Sequence, residues 1–352
     1  ATGIKKGSIT HRDQLIDEMD NALQEAQTMA DLIVEKLSLG ISGSHIRGIN
    51  TQGAIAIGNN NGSNVPIQHE ISDGDVHRVL DLAKAVSLPV DRDILHVLPQ
   101  EYVIDTMDSI KDPVGLTGRR LEARVHLITV ATTAATNLVS CAEELGVDVD
   151  GIVYQGLASS IATLSDDEKN LGVVCVDIGA TTTDIIVYHE GGVRHTATLS
   201  IGAASITNDI AVMLQVGIED AEKIKQTYGS AKASMSSPSL DFELPAQNGQ
   251  IKRKVSEHEL SRYVEARMVE ILQLIMREVS RADIKEKLTY GMVLTGGGSE
   301  LKNLVGLAQE TINMPVRVSN PVNLSGAVDV ASRPIYASAI GLAQWKTFGE
   351  DI

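Results

Sequence analysis

The fold is decided by the stretch VVCVDIGATTTD, which occupies residues 173–184. Its first half is an apolar run that predicts a strand. The turn that follows contains small and hydroxyl residues, so its backbone N–H groups can approach phosphate oxygens closely. Asp177 can hold a hydrated Mg²⁺ that offsets the phosphate charge. The predicted phosphate and metal contacts are Asp177, Gly179, Ala180, Thr181 and Thr182, and the alternative is an ordinary hairpin turn.

A second glycine-rich turn, TGGGS at residues 295–299, follows the apolar run Met292–Leu294. Its three glycines leave no side chains in the way, so a nucleoside can lie against the backbone at a helix N-terminus. This helix is predicted to begin at Glu300, with Ser299 as its N-cap. Alone, the motif is a common strand-to-helix turn. The predicted nucleoside contacts are Gly296, Gly297 and Gly298.

The two turns, in this order, resemble the second phosphate loop and the adenosine loop of the actin, hexokinase and heat-shock chaperone ATPase superfamily. Two segments, GLASS at 156–160 and ASAIG at 337–341, look like the helices that connect the two lobes in that superfamily. Glu222 and Lys225 match a Glu and a Lys that bracket adenosine in the chaperones. The resemblance implies binding of ATP and Mg²⁺ and, at most, a weak ATPase activity. The alternatives are plain alanine-rich helices and an exposed ion pair.

Four phrases narrow the resemblance to the bacterial cell-division family FtsA. They are ISGSHI at 41–46, HVLPQEY at 96–102, VGLTG at 114–118 and VHLIT at 125–129. All lie in or at the edge of residues 38–128, which interrupt a longer α/β pattern and which we call the inserted module. The expected fold class is therefore α/β, an actin-like two-lobed ATPase fold with an FtsA-type inserted 1C subdomain.

The family resemblance also implies a division of the chain into subdomains. The inserted module is 1C, and the remaining subdomains are 1A at 1–37, 129–167 and 334–352, 2A at 168–215 and 289–333, and 2B at 216–288. Subdomain 1A is the first lobe, and 2A with 2B is the second.

Hydrophobic spacing predicts several of the elements. A first helix is expected over 11–35, and in the module a helix should follow Ser72, with Asp75 completing a capping box. Alternation over 121–128 predicts a strand that buries one face, and a long helix is expected over 257–282. The first helix should place on a sheet the apolar residues Leu15, Met19, Ala22, Ala26, Met29 and Ile33.

Composition excludes several classes of protein. The net charge of −16 argues against nucleic-acid binding, which needs clustered basic residues. Cys141 and Cys175 have no neighbours at metal-ligand spacing, which indicates free thiols in a reducing compartment. No apolar stretch is long enough to span a bilayer. A cytoplasmic protein is expected.

The FtsA resemblance implies a place and a set of partners. We expect a protein that lies peripherally on the inner face of the cell membrane at the division site and assembles with itself into filaments. It would tether FtsZ by the FtsZ C-terminal tail and recruit other division proteins through subdomain 1C. The family also implies a first phosphate loop before Ala1 and an amphipathic membrane helix after Ile352.

The long helix carries a stripe of arginines opposite its apolar side. Because subdomain 2B receives the FtsZ tail in the FtsA family, these arginines are predicted to guide the carboxylates of the tail. A solvated helix face is the alternative, since Glu270 lies in the same arc. The predicted residues are Arg262, Arg267, Arg277 and Arg281.

Two other functions stay open from the sequence. A metabolic kinase of the same superfamily needs an Asp base beside an acceptor pocket, and no separate phrase marks such a pocket. A scaffold that has lost nucleotide binding is the other. The inserted module likewise has two possible uses. It can meet the second lobe of a neighbouring subunit head to tail in a filament, or it can serve only as a docking platform.

Overall fold

The computed structural model describes residues 3–58, 69–244, 253–282, 284, 287–324 and 331–349. The strands are β1 (Ile4–Lys5), β2 (Ser8–Ile9), β3 (Lys36–Ile41), β4 (Arg47–Ala56), β5 (His69–Glu70), β6 (Arg92–Ile104), β7 (Met107–Ile110), β8 (Thr117–Gly118), β9 (Arg120–Ala131), β10 (Asp148–Tyr154), β11 (Val173–Ile178), β12 (Thr183–His189), β13 (Gly192–Leu199), β14 (Asp241–Glu243), β15 (Lys254–Ser256), β16 (Met292–Thr295) and β17 (Val316–Val318). The helices are α1 (Arg12–Ala30), α2 (Asp73–Lys84), α3 (Thr132–Glu143), α4 (Gln155–Thr163), α5 (Asp166–Leu171), α6 (Ala203–Leu214), α7 (Ile218–Tyr228), α8 (Glu257–Val279), α9 (Leu304–Ile312) and α10 (Ala337–Gly349).

A five-stranded sheet forms the centre of the second lobe, in the order β13-β12-β11-β16-β17. β11 and β12 form the predicted antiparallel hairpin, and β16 lies parallel to β11 on its other side. Every residue of β11 is buried. Val174 and Val176 pack into the core of the second lobe, whereas Val173 and Cys175 pack toward the first lobe. Because parallel strands end at the same edge of a sheet, the two predicted turns lie side by side.

The first lobe is built on the parallel pair β3 and β10, with α1, α3, α4 and α10 around it. The predicted boundary at residue 38 cuts through β3, which pairs with β10 along its whole length. The first predicted helix is shorter than expected. It ends at Ala30 because Asp31 adopts a left-handed conformation (φ 52°) and donates its N–H to the Gln27 carbonyl. The expected burial of its whole apolar side is wrong: Leu15 is in the core, but Met29 and Ile33 are each 86% exposed.

The inserted module comprises β4 to β9 and α2, and with the whole of β9 it extends to Ala131, beyond the predicted boundary at residue 128. Its main sheet is antiparallel, in the order β4-β9-β6-β7, and α2 packs on one face. The N-cap of α2, Ser72, forms the predicted capping box with Asp75. β9 is confirmed as a strand, but its predicted burial on one face only is wrong, because Glu122 and His126 are also buried. His126 is covered because β13 of the second lobe packs against this face, with Thr196 in hydrogen-bond contact.

The segment predicted as subdomain 2B contains α7, the pair β14 and β15, and α8. The N-cap of α8, Ser256, accepts a hydrogen bond from the N–H of Glu259. The helix ends at Val279 rather than Ala282, because Ser280–Ala282 form a 3-10 turn. The predicted apolar side of α8 is fully buried and consists of Val264, Met268, Ile271, Ile275 and Val279.

Among the described residues, no helix is both long and apolar enough to cross a lipid bilayer.

Candidate functional site

A cleft of about 450 Å³ lies between the two lobes, at the edge of the sheet where β11 ends. The turn after β11 forms one wall, and β3, α3 and the start of α4 contribute the other. The wall on the second lobe contains four of the predicted residues, Gly179, Ala180, Thr181 and Thr182. The polar residues on the first lobe, which the sequence had not singled out, are Ser8, Ser42, Thr133, Asn137 and Gln155.

The turn after β11 is held by the start of α6. N–H groups in the first turn of α6 donate to the carbonyl oxygens of Gly179 and Ala180 at 2.9 and 2.8 Å. A side chain at Gly202 would overlap these carbonyl groups, so glycine is required where the helix approaches the turn. Within the described chain, the N–H groups of Ala180, Thr181 and Thr182 donate to no protein acceptor. These three donors lie in the cleft wall and suit an anion.

Ser42 links the first lobe to the second beside this turn. Its hydroxyl lies 2.7 Å from both carboxylate oxygens of Asp184, and Thr198 donates to the same carboxylate at 2.6 Å. Asp184 is fully buried, and this burial raises its pKa to about 7 against the effect of the two hydrogen bonds. The phrase ISGSHI contains Ser42, but no local pattern connects it with a residue so distant in the chain.

Asp177 lies where the two connecting helices cross. Its carboxylate accepts hydrogen bonds from Ser159 on α4 and from Ser338 on α10, the latter at 2.7 Å. Burial raises the pKa of Asp177, and these hydrogen bonds oppose the rise. The carboxylate is not part of the cleft wall. No cluster of three or more potential metal ligands occurs among the described residues, so the predicted contact with Mg²⁺ through water stays a prediction.

The three glycines after β16 have different roles. Gly296 has a positive φ of 78°, and a side chain there or at Gly298 would overlap the end of β11. Packing between the two strands therefore requires both glycines. At Gly297, an ideal Cβ would lie 3.4 Å from Ile335, which is ordinary contact distance. Of the three, Gly297 is the one where a Cβ fits without overlap, and none of the three is part of the cleft lining.

The helix predicted from Glu300 is wrong. Gly297–Glu300 form a 3-10 turn, and α9 begins only at Leu304. The backbone turns extended at Leu301 (ψ 130°), which interrupts any continuous helix. Ser299 is buried and donates to the Gly296 carbonyl at 2.7 Å instead of capping a helix. A nucleoside at this position would lie against a 3-10 turn and not against the N-terminus of an α-helix, as the sequence predicted.

Glu222 and Lys225 lie on α7 and contact the start of α6. Lys225 is 9% exposed, and its Nζ donates to Glu222 at 2.7 Å, to Thr207 at 2.9 Å and to the Ala203 carbonyl at 3.3 Å. Burial acts to raise the pKa of Glu222, but its hydrogen bonds with Lys225 and Thr207 bring the pKa below its ordinary value. The alternative of an exposed ion pair is therefore wrong for Lys225, because its side chain is buried. The pair supports α6, which holds the turn after β11, and neither residue lines the cleft.

The four predicted arginines do not share one surface site. Arg267 donates to Asp209 on α6 at 2.6 and 2.9 Å and also contacts Glu270. Arg277 lies at a separate cavity between the end of α8 and α9. Arg281 lies beyond α8, in the 3-10 turn, and pairs with a neighbouring glutamate. Arg262 is exposed on the first half of α8.

Arg267 borders a groove of about 320 Å³ between α6 and α8. Two apolar side chains of α6 that line it, Val212 and Met213, are 74% and 52% exposed. Tyr263 and Ala266 of α8 form the other side. The groove therefore combines apolar walls with Arg267 and with the two carboxylates that pair with it, Asp209 and Glu270.

The two lobes, the crossing helices and the cleft define an actin-like ATPase fold with an inserted subdomain. The chain is similar to a structure of the PilM-PilN type IV pilus biogenesis complex (TM-score 0.64, 15% identity, covering 97% of this chain and 87% of that chain). It is also similar to the ethanolamine utilization protein EutJ from Carboxydothermus hydrogenoformans (0.53, 13%, 97% and 78%) and to MreB5 of Spiroplasma citri bound to ADP (0.51, 18%, 63% and 68%). At these identities the similarity shows the fold alone.

Sequence comparison identifies the family. The family model described as cell division protein FtsA matches residues 174–341, and the model of the SHS2 domain inserted in FtsA matches residues 43–129. The cell division protein FtsA of Pseudomonas aeruginosa is 38% identical over 343 residues, which cover 97% of this chain and 80% of that protein. The FtsA proteins of Neisseria meningitidis and Escherichia coli K12 are 36% and 35% identical, with coverage of 97% and 80%, and of 97% and 81%. The chain belongs to the FtsA family of cell division proteins.

Proposed function

We propose that the chain binds ATP with Mg²⁺ in the cleft between its lobes. The observation that carries this proposal is the set of three N–H donors at Ala180, Thr181 and Thr182, which have no protein acceptor and lie in the cleft wall. Such donors suit phosphate oxygens, and the turn at Gly297, where the backbone carries no side chain, would contact the nucleoside. Mg²⁺ would offset the phosphate charge when bound, and Asp177, which does not itself line the cleft, is the residue that the sequence predicts to hold its water.

Replacing Gly297 by valine should weaken ATP binding about tenfold or more, because the branched side chain would fill the space beside the turn. A Cβ at this position meets Ile335 at ordinary contact distance, so the backbone there accepts a side chain. Titration calorimetry with ATP and Mg²⁺ measures the effect. Gly306→Val is the matched control. Gly306 lies on α9 and does not line the cleft, and a Cβ there meets only Met235, at 3.9 Å. Equal affinities in both variants would argue against this nucleoside position, and no binding in any form would favour the scaffold alternative.

In the cell, we expect the chain to act as an actin-like cell-division protein. It would polymerise on the inner face of the membrane, tether FtsZ and recruit later division proteins through the inserted module. Membership of the FtsA family and the actin-like fold support this function. The metabolic-kinase alternative lacks comparable support. Sedimentation of the protein with lipid vesicles, with and without ATP, tests assembly directly.

The groove between α6 and α8 is the site that we expect to receive the FtsZ C-terminal tail. Its exposed apolar residues Val212 and Met213 would take apolar side chains of a peptide. Arg267 lies in the groove between Asp209 and Glu270 and would bind a carboxylate of the tail by exchanging one of these partners for it. The other three predicted arginines lie outside the groove lining and would act only through long-range attraction. They are Arg262, Arg277 and Arg281.

Arg267→Glu should weaken binding of an FtsZ tail peptide about tenfold at low salt and reduce the salt dependence of binding. The reversed charge would repel the tail and would also leave Asp209 without its partner. Fluorescence anisotropy of a labelled tail peptide at several salt concentrations measures both effects. Arg12→Glu is the control, because Arg12 is also ion-paired, to Glu144, but lies on the first lobe. If both variants bind the tail as the wild type does, the arginine belongs only to a solvated helix face.

A further inference from the structure

We propose that the inserted module bridges the two lobes and sets the opening of the cleft between them. The chain enters and leaves the module through the first lobe, by way of β3 and the end of β9, yet the module packs on β13 of the second lobe. This inference rests on the proposed nucleotide function, because it names what regulates the same cleft.

A buried polar seam joins the module to the second lobe. Gln100 Nε2 donates to the Val193 carbonyl at 2.6 Å, and His126 Nε2 lies 2.9 Å from Thr196 Oγ1. Gln100, His126 and Thr196 are all buried, so water does not compete for these hydrogen bonds. A side chain at Gly48 would overlap both His126 and Thr196, so the two surfaces fit closely.

Asn50 completes the seam at its exposed rim. Its Oδ1 accepts from Gln100 Nε2 at 2.9 Å and lies 2.6 Å from His126 Nδ1, and its Nδ2 donates to the Arg194 carbonyl at 2.9 Å. Because Asn50 Oδ1 is an acceptor, His126 carries a proton on Nδ1, and its Nε2 accepts from the Thr196 hydroxyl. A single neutral form of His126 therefore satisfies its neighbours on both sides of the seam.

His96 joins the module to the helices that connect the lobes. Its Nε2 accepts a hydrogen bond from the N–H of Tyr154, the residue before α4, at 3.0 Å. Its ring packs edge-on against Trp345 of α10, with the ring centroids 5.1 Å apart. The residue after Tyr154 is Gln155, which lines the cleft. One side chain of the module thus contacts α10 and the end of β10, directly before α4 and the cleft-lining Gln155.

These contacts make the module a body that is held at both the connecting helices and the second lobe. Closure of two lobes around a ligand changes the angle between them, and packed interfaces allow this only by sliding or by switching between discrete arrangements. Any change in the opening of the cleft must therefore disturb the seam on β13 or the contact at His96. An intact seam holds the cleft near one opening.

The test loosens the seam and measures the separation of the lobes. Spin labels on cysteines introduced at Glu25 and Glu219, which are exposed on the first and second lobes, report the distance by electron resonance. The native cysteines are buried and should stay unlabelled. The wild type should give one narrow distribution without nucleotide, and the double variant Gln100→Leu with Thr196→Val should give a broad or second one. An unchanged distribution in the double variant would overturn the proposal.

Thr129→Val is the matched control. Thr129 is as buried as Thr196, but its hydroxyl bonds only to Arg47 and Arg92, within the module. This control should keep the distribution of the wild type. If the double variant does not fold, Asn50→Ala gives the same comparison from the rim of the seam.

ATP titration of the same proteins separates the bridge from the proposed function. If only about a tenth of the double-variant molecules have the cleft opening that binds ATP, their apparent ATP affinity should be about tenfold lower than that of the wild type. If the double variant kept the ATP affinity of the wild type although its distance distribution was broader, the claim that the module sets the opening of the cleft would be overturned. If the wild type itself binds no ATP, the proposed function fails, while the distance measurement still decides whether the module holds the lobes.

Discussion

Replacing Gly341 by alanine is expected to lower the free energy of unfolding by about 3 kcal/mol, the upper end of the usual cost of overpacking. Helices α4 and α10 cross at this residue, and a Cβ there would overlap the backbone carbonyl of Ala158. A carbonyl group inside a helix cannot turn aside as a flexible side chain can, so the two helices must separate. Urea unfolding, with the m-value checked for constancy, measures the loss.

Gly306→Ala is the matched control for this prediction. It makes the same chemical change within α9, where the nearest atom to the new Cβ belongs to Met235 at 3.9 Å. Alanine is a better helix former than glycine, so this variant should be more stable by about 0.5 to 1 kcal/mol. Equal effects of the two substitutions would contradict a close crossing at Gly341.

The crossing matters for the site because it holds the end of β11. The hydroxyls of Ser159 and Ser338 lie 2.9 Å apart, one on each helix, and both donate to Asp177. If alanine at position 341 separates the helices, this three-way contact should weaken as well. The phosphate turn that follows Asp177 would then lose one of its supports.

Local signals in the sequence predicted much of this architecture. The apolar run before Asp177 predicted the buried strand β11, and Ser72 with Asp75 predicted the start of α2. These features succeed because a few neighbouring residues determine each of them. The crossing of α4 and α10 was implied only by the resemblance of residues 156–160 and 337–341 to the connecting helices of the superfamily, and Gly341 meets Ala158 in that crossing.

Features that depend on distant partners could not be predicted. The alternation along β9 predicted a solvated face at His126, because nothing near it in the sequence reveals that β13 covers it. Lys225 had the spacing of an exposed pair, yet contact with α6 buries it. The three glycines after β16 seemed equivalent in the sequence, but packing against β11 leaves only Gly297 of the three open.

Replacing Asp177 by asparagine is expected to separate the stability of the protein from its binding of nucleotide. Burial raises the pKa of this carboxyl above its ordinary value of 3.8. Below that value, the carboxyl is protonated in both the folded and the unfolded chain. As the pH rises further, the unfolded chain loses its proton first, so the wild type loses stability until the folded carboxyl has also ionised. An amide does not titrate, so the variant should gain stability relative to the wild type as the pH rises.

Urea unfolding of both proteins from about pH 3, below the ordinary pKa, up to about pH 8 measures this difference. The asparagine should be at least as stable as the aspartate at neutral pH, because its side chain has the same shape and still accepts from Ser159 and Ser338. Asp148→Asn, at an exposed position at the start of β10, is the control. It should change neither the free energy of unfolding nor the binding of ATP.

Binding should change in the opposite direction. If Asp177 holds a water of the Mg²⁺ ion, loss of its charge should weaken Mg²⁺-dependent ATP binding about tenfold, because hydrogen bonds to a charged acceptor are about twice as strong as neutral ones. Binding measured in the presence of a chelator should be nearly the same in both proteins. A variant that is more stable at neutral pH but binds less nucleotide would identify Asp177 as a residue kept for its ligand at a cost to the fold. A variant that keeps the Mg²⁺ dependence of the wild type would instead leave Asp177 as a tie between α4 and α10, and the metal would need another holder in the cleft.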